Sequence, residues 1–213
     1  MIHNTTQVAP NNCSHADMQI RAACVAEDYR SAVTLLLRNY GDCVMTFLAF
    51  QLRDPTAADE AFAITAEQLW HGLPGFKWQS SVRTWAYAIA RRAAVRHMCD
   101  PHRRRHRNLP LGEHHALSQL VDDVRTRTQR YMKTETKNRM RALREQLPPD
   151  DQLLLVLRIN RQLSFRDAAI VMTSCEQQLD EQAIEREAAR LRKRFERIKA
   201  ALRRMAERDG LLS

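Results

Sequence analysis

Five Gly and seven Pro are all that this chain of 213 residues holds. A sandwich, barrel or doubly wound sheet needs a turn at intervals of roughly ten residues. So few chain-breakers cannot supply them, so the chain is expected to be all-α. The apolar residues agree. Tyr29, Val33, Leu36, Leu37 and Tyr40 recur at helix spacing, as do Ile184, Ala188, Leu191, Phe195, Ile198, Leu202 and Met205. Hydrophobic residues make up 44% and charged residues 28%, enough apolar matter for a core and too little bias for wholesale disorder.

Charge is distributed unevenly. Residues 1–60 carry four basic and seven acidic side chains, a net of −3, whereas residues 186–208 carry ten basic and three acidic, a net of +7. The whole chain stands at +9. A polyanion is the expected partner of the basic part, and a protein surface that of the acidic part. The five Cys, at 13, 24, 43, 99 and 175, form no CxxC pair and are odd in number. A disulfide framework is therefore not expected, and a reducing cytoplasm is. No apolar run is long enough to span a membrane, and the first residues lack the pattern of a signal peptide.

The chain divides by its breakers. Residues 1–24 read as a disordered N-terminal tail, and 25–100 as a first helical domain. Within it Gly41 interrupts the first apolar pattern, and Asp54-Pro55-Thr56 stops one helix and starts another with Thr56 as N-cap. Gly72 to Ser81 reads as a loop, after which Ser80 or Ser81 caps a helix to Met98. Residues 101–131, with the basic run PHRRRHR, Pro110 and Gly112, read as a flexible linker. Residues 132–213 form the second domain: a helix to Leu147, a Leu-rich helix opened by Pro148-Pro149, a short helix capped at Ser164, a polar turn at 173–180 and a long helix from Glu181 to Glu207. That order has the form of a helix-turn-helix.

Two features carry chemistry. In the last helix the apolar stripe leaves Arg192, Lys193 and Arg197 facing outward, and Arg186, Arg190, Lys193 and Arg197 form a basic stripe. A helix fits the major groove, where Arg reads guanine and Lys and Arg bind phosphates; the plain alternative is a solvated surface face. The second is Gly75-Phe-Lys-Trp-Gln-Ser-Ser81 and the helix after it, with Arg83, Tyr87 and Arg91 on one side and Trp85, Arg92 and Arg96 beside them. Aromatics interleaved with cations suit unstacked bases; the alternative is that Phe76, Trp78 and Trp85 are core anchors.

These residues carry a family resemblance. Asp59-Glu-Ala-Phe, then Glu67-Gln-Leu-Trp-His-Gly-Leu-Pro-Gly-Phe76, then Ser80-Ser-Val-Arg-Thr-Trp-Ala-Tyr-Ala-Ile-Ala-Arg91 resembles the second conserved region of bacterial RNA polymerase sigma factors of the extracytoplasmic-function (ECF) subfamily. Leu147-Pro-Pro, Leu163-Ser-Phe-Arg-Asp-Ala-Ala169 and Leu191-Arg-Lys-Arg-Phe-Glu-Arg-Ile-Lys199 resemble its fourth region. The resemblance implies a non-enzyme that joins core RNA polymerase and directs transcription initiation at promoter DNA, with no cofactor. It implies polymerase contacts at Asp59, Glu60, Glu67, Leu69 and Trp70. It implies minus-ten contacts at Phe76, Lys77, Trp78, Ser80, Ser81, Arg83, Thr84, Trp85, Tyr87, Arg91 and Arg92. It implies minus-thirty-five contacts at Arg190, Arg192, Lys193, Arg194 and Arg197. Members are usually held silent by an anti-sigma factor.

The chain departs from the family pattern at Ala63 and Ile64, where a Gln and an acid are usual, at Ala66, at Arg92 and in the longer acidic turn from Thr173 to Gln182. The first of these supports a second reading, a sigma-like DNA-binding regulator that does not engage polymerase productively. An enzyme acting on nucleic acid would need a carboxylate cluster or nucleophile in a basic cleft, and none stands out. His97, Cys99, His102 and His106 offer metal-ligand types, but the flanking Arg would repel a dication.

Overall fold

The computed structural model describes residues 10–99, 118–126, 139–173 and 180–209. Among these the chain is helical throughout, with no strand. The segment expected to be a disordered tail contains α1 (Pro10–Val25), whose Ala16 and Ile20 are buried. Tyr40 anchors it by donating to Asp17 Oδ1 at 2.8 Å. Glu27, at φ 57°, turns the chain into α2 (Tyr29–Leu52). Asp28 caps that helix by accepting from Ser31 N at 3.0 Å.

Gly41 does not interrupt α2. The helix passes through it, and the missing side chain leaves room for a neighbour. Arg53 ends α2 in the left-handed region. The cap of α3 (Pro55–Gly72) is Asp54, not Thr56: its carboxylate accepts from Thr56 N at 2.9 Å and Ala57 N at 3.3 Å. Pro55 takes the first helical position, which fits its fixed φ and missing N–H, so the cap lies one residue ahead of it. A 3-10 turn over Leu73–Gly75 follows. Ser81 then caps α4 (Val82–Cys99), its hydroxyl accepting from Thr84 N at 3.0 Å.

Helices α2, α3 and α4 pack around Phe47, Phe62, Leu36, Leu48 and Tyr87, all fully buried. Tyr87 meets Phe47 edge-on at 5.2 Å. Within the expected linker, residues 118–126 form a further helix, α5, whose Val121 and Val124 are buried. The basic run 101–107, with His102 and His106, lies outside the described residues.

The second half begins with α6 (Arg139–Glu145) and α7 (Pro149–Leu155). Asp150 and Asp151 occupy the first turn of α7, where the helix dipole favours negative charge. The helix continues into a single wider π turn at Val156–Asn160. Ser164 caps α8 (Phe165–Thr173): Asp167 N donates to Ser164 Oγ at 3.0 Å, and Ser164 Oγ donates to Asp167 Oδ2 at 2.6 Å, side chain to side chain. Most of the acidic turn, 174–179, lies outside the described residues. Asp180 caps α9 (Glu181–Arg208), which buries Ala188, Leu191 and Ile198 against α7 and α8, with Phe195 edge-on to Phe165 at 5.7 Å.

The two halves touch. Leu153, Leu154, Leu155 and Leu157 join the same apolar cluster as α2 and α4, and α8 lies along α4. Polar contacts border that seam: Thr84 Oγ1 donates to Asp167 Oδ1 at 3.0 Å, and Arg53 Nη2 to Gln152 Oε1 at 2.9 Å.

Asp167 therefore serves a helix cap and the seam together. Replacing it with Ala should cost ~1–3 kcal/mol of stability, the range for leaving the buried Thr84 hydroxyl without its charged acceptor. The urea midpoint of the full chain reads this. A change below about 0.5 kcal/mol, the level of an ordinary surface substitution, would mean that the seam contact is not formed in solution.

Candidate nucleic-acid interface

The loop after α3 is shaped by a close approach. A Cβ on Gly72 would lie 3.0 Å from Trp85 Cζ2, so a side chain there would crowd the indole that packs against the end of α3. Phe76 stacks on Trp85 with centroids 4.6 Å apart and planes at 25°, and its other neighbour, Trp78, lies at 5.0 Å. Trp78 holds φ at 57°, the left-handed region, which turns its ring back toward Phe76. The guanidinium of Arg21 on α1 stands 5.4 Å over the Trp78 ring. The three rings are half-buried and pack against the core, as the anchor expectation requires, and each keeps part of its surface exposed.

Cations stand beside this ladder. Lys77, Arg92 and Arg96 are exposed and have no ion-pair partner among the described residues. With Phe76 and Trp85 they line one wall of a groove of about 910 Å³. The opposite wall is Arg166, Ile170, Glu181 and Ile184 of α8 and α9. Arg166 is held there by Glu181 at 2.7 Å and Glu185 at 3.9 Å, and the bonds to Glu181 raise its already high pKa. Ser80 and Ser81 sit at the loop's end, Ser81 as the cap of α4.

Residues 27–107 match the family model for sigma-70 region 2. No curated protein and no solved structure matches the chain. The match runs from α2 through α4, less than half of the chain, and the helices from α5 onward lie outside it.

Not every expected contact of region 2 faces outward. Thr84 and Tyr87 are fully buried: Thr84 bonds Ser81 and Asp167, and Tyr87 is core beneath Phe47. Leu69 is likewise fully buried and packs inside the bundle. These three cannot touch a partner in this arrangement, because helix periodicity turns them to the same side as Ala66 and Ala88. Arg91 is engaged: its Nη1 donates to Gln51 Oε1 at 2.6 Å, and its Nη2 lies 3.7 Å from Asp150 Oδ1 across the seam. Arg83 is half-buried, near Asp17 of α1. Burial pushes the Asp17 carboxyl up, and the Tyr40 bond and the Arg83 charge pull it back.

On α3, Asp59, Glu60, Glu67 and Trp70 are half-buried. Glu60 Oε2 lies 3.6 Å from His97 Nε2. Of the family departures, Ala63 is buried and Ile64 half-buried, so Ala63 serves the bundle rather than its surface.

On α9, Arg190, Arg192, Lys193 and Arg197 are exposed, and Arg190 is paired to Glu187 at 3.3 Å. Arg192 is steadied over the Phe165 ring at 5.4 Å. Arg194 is a correction: it turns inward and bonds Asp151 of α7. Sequence reasoning missed Arg21, whose helix was read as a tail. The spacing of Ala16, Ile20 and Cys24 was the available signal.

Among these groups Tyr87 offers a spectroscopic test of the packing. Burial pushes its phenol from the usual 10.0 up to about 12. The unfolded chain therefore loses this proton first, and the stability Tyr87 contributes falls as pH rises from 10 toward 12. Wild type should lose stability across that window more steeply than Tyr87→Phe. Equal slopes would place the ring in solvent.

Proposed function

We propose that this chain is a sigma factor of the ECF type, acting in the cytoplasm. In this reading α3 docks on core RNA polymerase through Asp59, Glu60, Glu67 and Trp70. The loop from Phe76 to Ser81 and the cations of α4 take the minus-ten element. Helices α8 and α9 form a helix-turn-helix whose Arg190, Arg192, Lys193 and Arg197 read the minus-thirty-five element. The observation that carries the reading is the ring ladder beside unpaired cations inside the segment that matches sigma-70 region 2.

The chemistry is that of binding. Strand opening exposes base faces, and a base stacked on an aromatic side chain gains ~1–3 kcal/mol. The half-exposed rings of Phe76 and Trp78 suit that role, while Lys77 and Arg92 follow the phosphates. Each half alone binds weakly; joining them on one chain raises the effective concentration of the second contact. The two-part layout thus converts modest contacts into promoter selection.

The apolar Ile64, half-buried on α3 where an acid is usual, supports a second reading, a DNA-binding regulator without productive polymerase contact. Run-off transcription with purified core enzyme separates them. Promoter-specific transcript supports the sigma factor; DNA binding without transcript supports the regulator.

Two substitutions probe the division of labour. Trp78→Ala should leave duplex binding intact and slow strand opening about tenfold, within the ~1–3 kcal/mol of one stacked base, read by permanganate reactivity of unpaired thymines. An equal loss in both would indicate a fold defect. Lys193→Ala should weaken promoter binding and lower the salt slope by about one. An unchanged slope would remove α9 from the DNA contact.

A further inference from the structure

Helix α5 has no role in the reading above, yet it is firmly seated. Val121 and Val124 are buried on the α2–α3 surface, at 2% and 0% exposure. The seat is fitted to them: a Cβ on Gly41 would lie 3.0 Å and 3.4 Å from the two methyls of Val124, and 3.7 Å from Phe62 Cζ. A Gly in mid-helix weakens the helix, and here it makes the hole that Val124 fills. At the other edge Arg125 donates to the Asp59 carbonyl at 2.6 Å and to Asp122 Oδ1 at 3.1 Å. Asp59 and its neighbour Glu60 open the acidic stretch of α3.

We propose that α5 occupies the polymerase-docking face of region 2 in the free chain and must leave it when polymerase binds. The inference rests on the reading of α3 as the polymerase contact. Three features support a displaceable occupant rather than a permanent part of the bundle. The described part of α5, residues 118–126, lies outside the region 2 match. Its apolar hold is short, Val121 and Val124 with the half-buried Leu120, and its opposite face, with Asp122, Asp123 and Thr126, is exposed. The Arg125 bond goes to a backbone carbonyl beside the acidic side chains, so a partner reaching Asp59 meets α5 first.

The test is a reversible lock. In a full-length chain with its five native cysteines replaced by Ser, Gly41→Cys and Val124→Cys place two thiols across the contact. The change at Val124 also removes the methyls that the new side chain would meet. Oxidation should join them, as read by mass, and should lower affinity for core polymerase at least tenfold; reduction should restore it. A second variant, Val121→Ser with Val124→Ser, should loosen α5 and bind several-fold tighter, with hydrogen exchange accelerated at 118–126 and the circular dichroism of the bundle retained. A locked chain that binds as well as the reduced one overturns the inference, as does a pair that fails to oxidise or a loosened chain that binds no tighter. If the reduced chain and the wild type both fail to bind polymerase, the functional reading itself has failed and this inference falls with it.

Discussion

Close approach of helices through small residues is the constraint from which the rest of the structure follows. α3 buries Ala57, Ala58, Ala61, Ala63 and Ala66, and α4 buries Ala86, Ala88, Ala90, Ala93 and Ala94. Interaxial distance is set by the side chains at the contact, so alanine-lined faces bring α2, α3 and α4 tightly together. Two glycines extend the same device outward: Gly41 receives Val124, and Gly72 receives the Trp85 ring. Phe47, Phe62 and Tyr87 fill the centre of the bundle, whereas Phe76, Trp78 and Trp85 end half-buried on one rim beside the α4 cations.

The packing also explains which parts of the molecule could be read from sequence. Helix periodicity located α2, α3, α4 and α9 because each carries a long amphipathic stripe, and the α9 stripe of Ala188, Leu191 and Ile198 is buried as its spacing requires. Local rules failed where two of them competed. Asp54, Pro55 and Thr56 offer two possible caps, and the preference of Pro for the first helical position decides for Asp54. Gly41 looks like a breaker in isolation and is a packing hole in context. α1 was missed because its polar residues outnumber the few that dock, Ala16 and Ile20.

Site residues follow the same division. The outward set on α9 was legible since one stripe fixes the opposite face, with Arg194 the exception because Asp151 lies within its reach. On α4 the inference from types alone went too far. Tyr87, Thr84 and Arg91 are the residue types expected to meet DNA, yet α4 is covered by α2 and α3 and, beyond them, by α8. One helix face cannot be both core and interface. No sequence rule announces a second covering helix drawn from 80 residues further along the chain.

The seam between the halves shows which force holds such a cover in place. Its ion pair, Arg91 with Asp150, spans 3.7 Å, and the Asp150 side chain is 57% exposed. Solvent screens a pair of that kind to ~0–1 kcal/mol, and one hydrogen bond to a carboxylate such as Thr84 to Asp167 adds roughly 1.5–3 kcal/mol. Leu153, Leu154, Leu155 and Leu157 are buried in the shared cluster, and each fully buried Leu gains roughly 1.5–3 kcal/mol. Part of that burial is internal to the second half, yet the apolar contribution still exceeds the polar one. The seam is therefore held by leucine packing, and the polar contacts fix its register. A seam of this kind resists salt, and competing charges alone do not open it; whatever separates the halves must supply an apolar surface or strain of its own.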